Sequence, residues 1–241
     1  MPDSKNHLKC GDSIGKAVGK AIRAVIKCHQ KQADAAFATL NGKVTTFDEE
    51  LCEEGPNGGK SAKEKFEAAI AKIGPSGKNL CTSQQLALAS SQETALFAGK
   101  SNAASLDALN GQVYCDGSAS IDPSGDDAGT IDPSGLTGKL KLKCADTLGR
   151  ELGKLAAAAI VCHQKQADSG FAGKVFQEEV CEESDPAKHR SALEKYRAAM
   201  DKLDAKGICT QTCLSRPNRD ALGANVLGQI ESANQVAYPC P

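Results

Sequence analysis

The sequence predicts an all-α fold of two tandem, disulfide-stapled helical-hairpin modules, three to four helices each, joined by a linker rich in Gly, Pro and Asp. Three observations predict it. Apolar residues recur at helical spacing between cysteines. A seven-residue stretch recurs unchanged in the second half of the chain. Strand signals are confined to the short runs 43–47 and 112–114, too little to build a sheet.

Cys28-His29-Gln30-Lys31-Gln32-Ala33-Asp34 returns as Cys162-His163-Gln164-Lys165-Gln166-Ala167-Asp168. Leu8-Lys9-Cys10 returns as Leu142-Lys143-Cys144, and Leu51-Cys52-Glu53-Glu54 as Val180-Cys181-Glu182-Glu183. Cys81 matches Cys209, and Gln112-Val113-Tyr114-Cys115 resembles the segment from Gln235 to Cys240. This is a duplication, with a first repeat over 1–115, a turn-rich linker over 116–138 and a second repeat over 139–241. The linker carries Ile-Asp-Pro-Ser-Gly twice, from Ile121 and from Ile131, and each suits a type I turn.

The first helix of each repeat follows from the spacing of its cysteines. Cys10 and Cys28 stand 18 residues apart, as do Cys144 and Cys162. That is five helical turns, or about 27 Å, so both cysteines fall on one stripe. Ile14, Val18, Ile22 and Val25 lie between the first pair, and Leu148, Leu152, Leu155 and Ala159 between the second. Gly42, Gly170 and Gly173 argue for loop beyond Asp34 and Asp168. A second helix starts at the capping box Ser61-Ala62-Lys63-Glu64, and in the other repeat at Asp185-Pro186. Its stripes are Phe66, Ile70 and Ile73, matched by Tyr196, Met200 and Leu203. A third helix runs from Gln84 to Ala98; its counterpart breaks at Pro217 and resumes after Asp220 as far as about Ala233.

The chain has 241 residues and a net charge of −1, from 29 Lys and Arg against 30 Asp and Glu. That balance excludes nucleic-acid binding by bulk charge. No run of 18 apolar residues exists to span a membrane. Eleven cysteines without zinc-type C-x-x-C pairs point to disulfides and an oxidising compartment, hence a secreted or periplasmic chain. Reduced, buried thiols in a cytosolic chain are the alternative. The opening Met1-Pro2-Asp3 has no apolar signal segment, which we read as removed.

Two antiparallel helices would bring Cys10 to Cys81 and Cys144 to Cys209 at one end. Cys28 would meet Cys52, and Cys162 would meet Cys181, at the other. Four cysteines permit three pairings, and the hairpin makes this one geometrically easiest. Cys213 is then placed with Cys240, which leaves Cys115 as an unpaired thiol and a point of covalent homo-oligomerisation; a bond between the copies is the competing reading. The arrangement resembles the general class of cysteine-stapled antiparallel helix pairs. It is similar to secreted bacterial proteins with tandem stapled hairpins, a likeness that covers both copies and implies no activity or site.

The repeated segment offers a candidate binding surface of His29, Gln30, Lys31 and Asp34 with His163, Gln164, Lys165 and Asp168. Packing against the same neighbour in both copies would preserve the same residues. No metal or cofactor is expected, because adjacent Cys and His diverge on a helix and a disulfide cysteine is no thiolate ligand. Haem or a divalent metal at His29 and His163 is the alternative. The acids around the third cysteine of each repeat, among them Glu49, Glu53, Glu178 and Glu182, read as a solvated face. Catalytic signatures are absent: no G-x-S-x-G, H-E-x-x-H, P-loop or G-x-G-x-x-G. The expectation is a secreted non-enzymatic protein that binds a partner or joins an extracellular assembly. The alternative is a carrier of an apolar small molecule or pigment, such as a lipid or haem, within or between the modules.

Overall fold

The structure is a computed structural model, and it describes residues 4–97, 106–115 and 135–238. Within them the chain forms helices α1 (Lys5–Leu40), α2 (Glu49–Glu53), α3 (Ala62–Ala71), α4 (Ser83–Phe97), α5 (Leu106–Val113), α6 (Gly135–Phe171), α7 (Glu178–Glu182), α8 (Ala192–Lys206) and α9 (Arg216–Ala237), with a 3₁₀ turn at Thr212–Leu214. No strand occurs among the described residues. The linker residues 116–134, with both Ile-Asp-Pro-Ser-Gly turns, and Cys240 lie outside them.

The two long helices dominate. At 36 and 37 residues they are each about 55 Å long, well beyond the Cys-to-Cys stretch. α1 starts at Ser4, whose side chain accepts from the His7 amide, and runs past Asp34 to a cap at Asn41. α6 likewise runs through Gly170 and ends before Gly173, which takes a positive φ. The expected loops after Asp34 and Asp168 are therefore helix. The apolar stripe continues through Ala33 and Ala167, both buried, and carries the helix across the glycine.

α1 and α6 lie antiparallel against each other, and their seam is reciprocal. Gln30 Nε2 donates to the Asp146 carbonyl at 2.6 Å, and Gln164 Nε2 donates to the Asp12 carbonyl at 2.9 Å. Asp12 and Asp146 each stand two residues after the first cysteine of their repeat. Glycines line this seam in matching places. A Cβ at Gly15 would come within 3.1 Å of Ile160, and one at its counterpart Gly149 within 3.5 Å of Ile26. Small residues thus set how close the backbones come.

Each half completes the other's core. Ala156 and Ile160 of α6 join the cluster of Ile14, Val18, Ile22, Val25, Phe66 and Phe97. Ala33, Val113 and Tyr114 join the cluster of Leu148, Leu155, Tyr196, Met200 and Leu214.

Disulfides join Cys10 to Cys81, Cys28 to Cys52, Cys144 to Cys209 and Cys162 to Cys181. The fifth joins Cys115 to Cys213 with a Cα–Cα distance of 6.2 Å. This corrects two expectations: Cys213 does not take Cys240, and Cys115 is not a free thiol for oligomerisation. α5 packs onto the second half, where Tyr114 bonds Asp146, and this places the next residue beside Cys213. Two helix starts are also corrected. α8 begins at Ser191, in a capping box with Glu194 that repeats the Ser61–Glu64 box. Asp185 instead receives the amides of Ala187 and Lys188 in the preceding turn. α9 begins at Arg216 with no break, since Pro217 sits in its first turn, where a missing N–H costs nothing.

Candidate metal centres

The short helices α2 and α7 position the site. Asp48 caps α2 by accepting from the Leu51 amide at 2.8 Å. Glu49 and Glu50 in the first turn suit the positive end of the helix. Glu49 and Glu53 are four residues apart and share one helix face, as do Glu178 and Glu182 on α7. Cys52 and Cys181, each one residue before the second Glu of its pair, are bonded to Cys28 and Cys162. The next residue on each long helix is the repeated histidine. The staple therefore holds a carboxylate pair against an imidazole, and does so twice.

In the first copy His29 Nε2 lies 2.9 Å from Glu53 Oε1 and 3.2 Å from Glu49 Oε1. All three residues are buried. In the second copy His163 Nε2 lies 2.7 Å from Glu178 Oε1, 2.9 Å from Glu182 Oε1 and 3.2 Å from Glu231 Oε1 of α9. In each group the potential donor atoms all fall within 4.8 Å of one another. The nearest oxygens of Glu49, Glu53, Glu178 and Glu182 are buried and accept no hydrogen bond among the described residues.

Electrostatics follow from burial. Burial pushes Glu53 up to about 9; the His29 imidazole opposes this and the Glu49 carboxylate adds to it. Burial also lifts Glu182 to about 7, with His163 opposing. Glu178 is raised for the same first reason. Burial would lower His163, but the carboxylates of Glu182, Glu231 and Glu178 outweigh it and raise it. These sites gather more acid than their single imidazole can balance.

The eight residues of the sequence-derived surface do not form one face. His29 and His163 point inward, and Gln30 and Gln164 are engaged in the seam. Lys31, Asp34, Lys165 and Asp168 are exposed, and Lys31 Nζ sits 5.6 Å from the Phe47 ring centroid. The solvated acidic face is corrected in part. Glu49, Glu53 and Glu182 are interior, because the staple turns their helix face toward α1 and α6. The signal for this stood in the repeated pattern Glu-Glu-x-Cys-Glu, an i, i+4 acid pair around a cysteine whose mate precedes a histidine.

Comparison with family models, with curated proteins and with solved structures finds no match.

Proposed function

We propose that this chain is a secreted, non-enzymatic binding protein that carries divalent transition-metal ions in two related centres, the buried His29–Glu49–Glu53 and the more open His163–Glu178–Glu182–Glu231. The observation that carries the reading is the same His–Glu–Glu constellation, interior and with unsatisfied carboxylate oxygens, built once in each repeat. An uncompensated buried carboxylate is costly. A dipositive ion among two carboxylates and a neutral imidazole makes a neutral group at His29–Glu49–Glu53, and in the second centre Glu231 adds a third carboxylate at the exposed rim. One nitrogen with two or three oxygens suits zinc or manganese. Calcium, which takes six to eight oxygens, would be short of ligands. The disulfides beside each centre pre-organise it. Together with the remaining bridges, they support an oxidising habitat.

The test is metal content and titration calorimetry on dialysed protein with Zn²⁺ and Mn²⁺. Two ions per chain are expected, one in His29→Ala, one in His163→Ala and none in the double variant. No saturable binding, or binding unchanged in the double variant, would overturn the reading.

A second reading, engagement of a partner by two equivalent surfaces, is favoured by matching exposed tips. Beyond each long helix, Gly42-Lys43-Val44 and Gly173-Lys174-Val175 turn outward with the valines 98% and 95% exposed. Their solvent exposure gives no packing reason for the repeat. Val44→Ser with Val175→Ser should leave folding intact and abolish any self-association or partner retention by the purified chain.

A further inference from the structure

An apolar cavity of about 90 Å³ opens where the two copies meet. Ile22 of α1, Leu152 and Ala156 of α6, and Ile230 of α9 contribute wall, and Asn110 of α5 contributes a buried amide. Asn110 is only 4% exposed, and its Nδ2 donates to nothing among the described residues. Of the other polar groups on the wall, Gln229 is exposed at the rim and two are engaged elsewhere. The Tyr114 hydroxyl donates to Asp146, and His29 faces its glutamates.

A buried amide donor without an acceptor is destabilising. A water molecule meets this need poorly here, because a buried water requires two to four polar partners and the wall is mostly aliphatic. We propose that the cavity is a binding site for a small, uncharged, largely apolar molecule with one hydrogen-bond acceptor, such as a ketone or cyclic ether, held through Asn110 Nδ2. The cavity is smaller than the ~150 Å³ cavity that takes benzene. On that scale it suits about four non-hydrogen atoms, and neither a lipid chain nor a haem. The site draws on both repeats, so it exists only in the duplicated chain. It stands apart from the metal reading, since nothing in it requires an ion.

The experiment is amide NMR of the full chain titrated with acetone and, in parallel, with isobutane. Saturable shifts are expected at the Asn110 side-chain amide and at the backbone amides of Ile22 and Ala156. The ketone should bind about tenfold tighter than the hydrocarbon, about 1.4 kcal/mol. Asn110→Leu should erase that preference. Ala156→Leu, which narrows the cavity without touching the donor, should weaken both ligands and keeps the test decisive if the first variant fails to fold. No saturable shift with the ketone, or equal affinity for ketone and hydrocarbon, would overturn the proposal.

Discussion

The Tyr114 hydroxyl donates to the Asp146 carboxylate at 2.9 Å, from the end of the first repeat into the start of the second. Tyr238 returns the bond, donating to Asp12 at 2.9 Å. With the two Gln-to-carbonyl bonds, this makes the contact between the repeats self-complementary, as at the interface of a twofold dimer. The unchanged Gln30 and Gln164 are thereby explained, since each repeat presents the same glutamine to the other.

The bond at Asp146 has a pH signature. Burial, with Asp34 adding to it and Tyr114 opposing, raises this carboxyl from an ordinary 3.8 to about 7. The folded chain thus holds a proton that the unfolded chain has lost, and stability falls as pH rises between those values. Urea unfolding at pH 5 and pH 8 should show Asp146→Asn removing on the order of 2 kcal/mol of that decline. An unchanged slope would place the titration elsewhere.

The two capping boxes give the opposite sign at low pH. Backbone amides of Ser61 and Gly59 hold Glu64, and that of Ser191 holds Glu194, each down to about 2. Their contribution is present above the unfolded value of 4.5 and is lost as pH falls toward 2. Denaturation followed by circular dichroism at a series of pH values should show wild-type stability falling steeply between pH 4.5 and about pH 2. Glu64→Gln with Glu194→Gln should flatten the acid limb.

Removing one seam glutamine deletes a hydrogen bond to a half-buried helix carbonyl. Gln30→Ala and Gln164→Ala should each cost about 0.5–1.5 kcal/mol in chemical denaturation. A loss confined to one of the two would break the reciprocity.

Gly223 has a steric reason. A Cβ there would lie 2.5 Å from Cε1 of Tyr196, whose hydroxyl is fixed by the Arg219 carbonyl at 2.6 Å. Gly223→Ala should destabilise by about 1–3 kcal/mol, read as a lowered thermal midpoint, and Tyr196→Phe should not relieve it, because the clash is with the ring.

Zinc at a hundredfold excess over its dissociation constant should stabilise the chain by about 2.7 kcal/mol for each centre filled. The rise in thermal midpoint should vanish in the Glu49→Gln, Glu53→Gln, Glu178→Gln, Glu182→Gln variant.

Local order was the legible part of this chain. The stripes from Ile14 to Val25 and from Leu148 to Ala159, together with the cysteine spacing, carry the long helices and the hairpin staples. The seam was not legible, because Gln30 and Asp146 are brought together by tertiary contact and leave no periodicity behind. For Cys115 a bond between the copies is one of two readings, but its mate, 98 residues away, leaves no local signal to choose it. The histidines of the site stand out as repeated residues. Their glutamates hide in an acid-rich run, and only the staple at the neighbouring cysteine turns Glu53 and Glu182 inward.

The Cys115–Cys213 bridge closes a loop that includes the whole connection between the repeats. A single proteolytic cut anywhere inside it would leave the two fragments covalently attached, and the reciprocal seam would keep them in register. In a protease-rich medium such a molecule could be nicked and still travel as one piece, its injury visible only after a reducing agent is added.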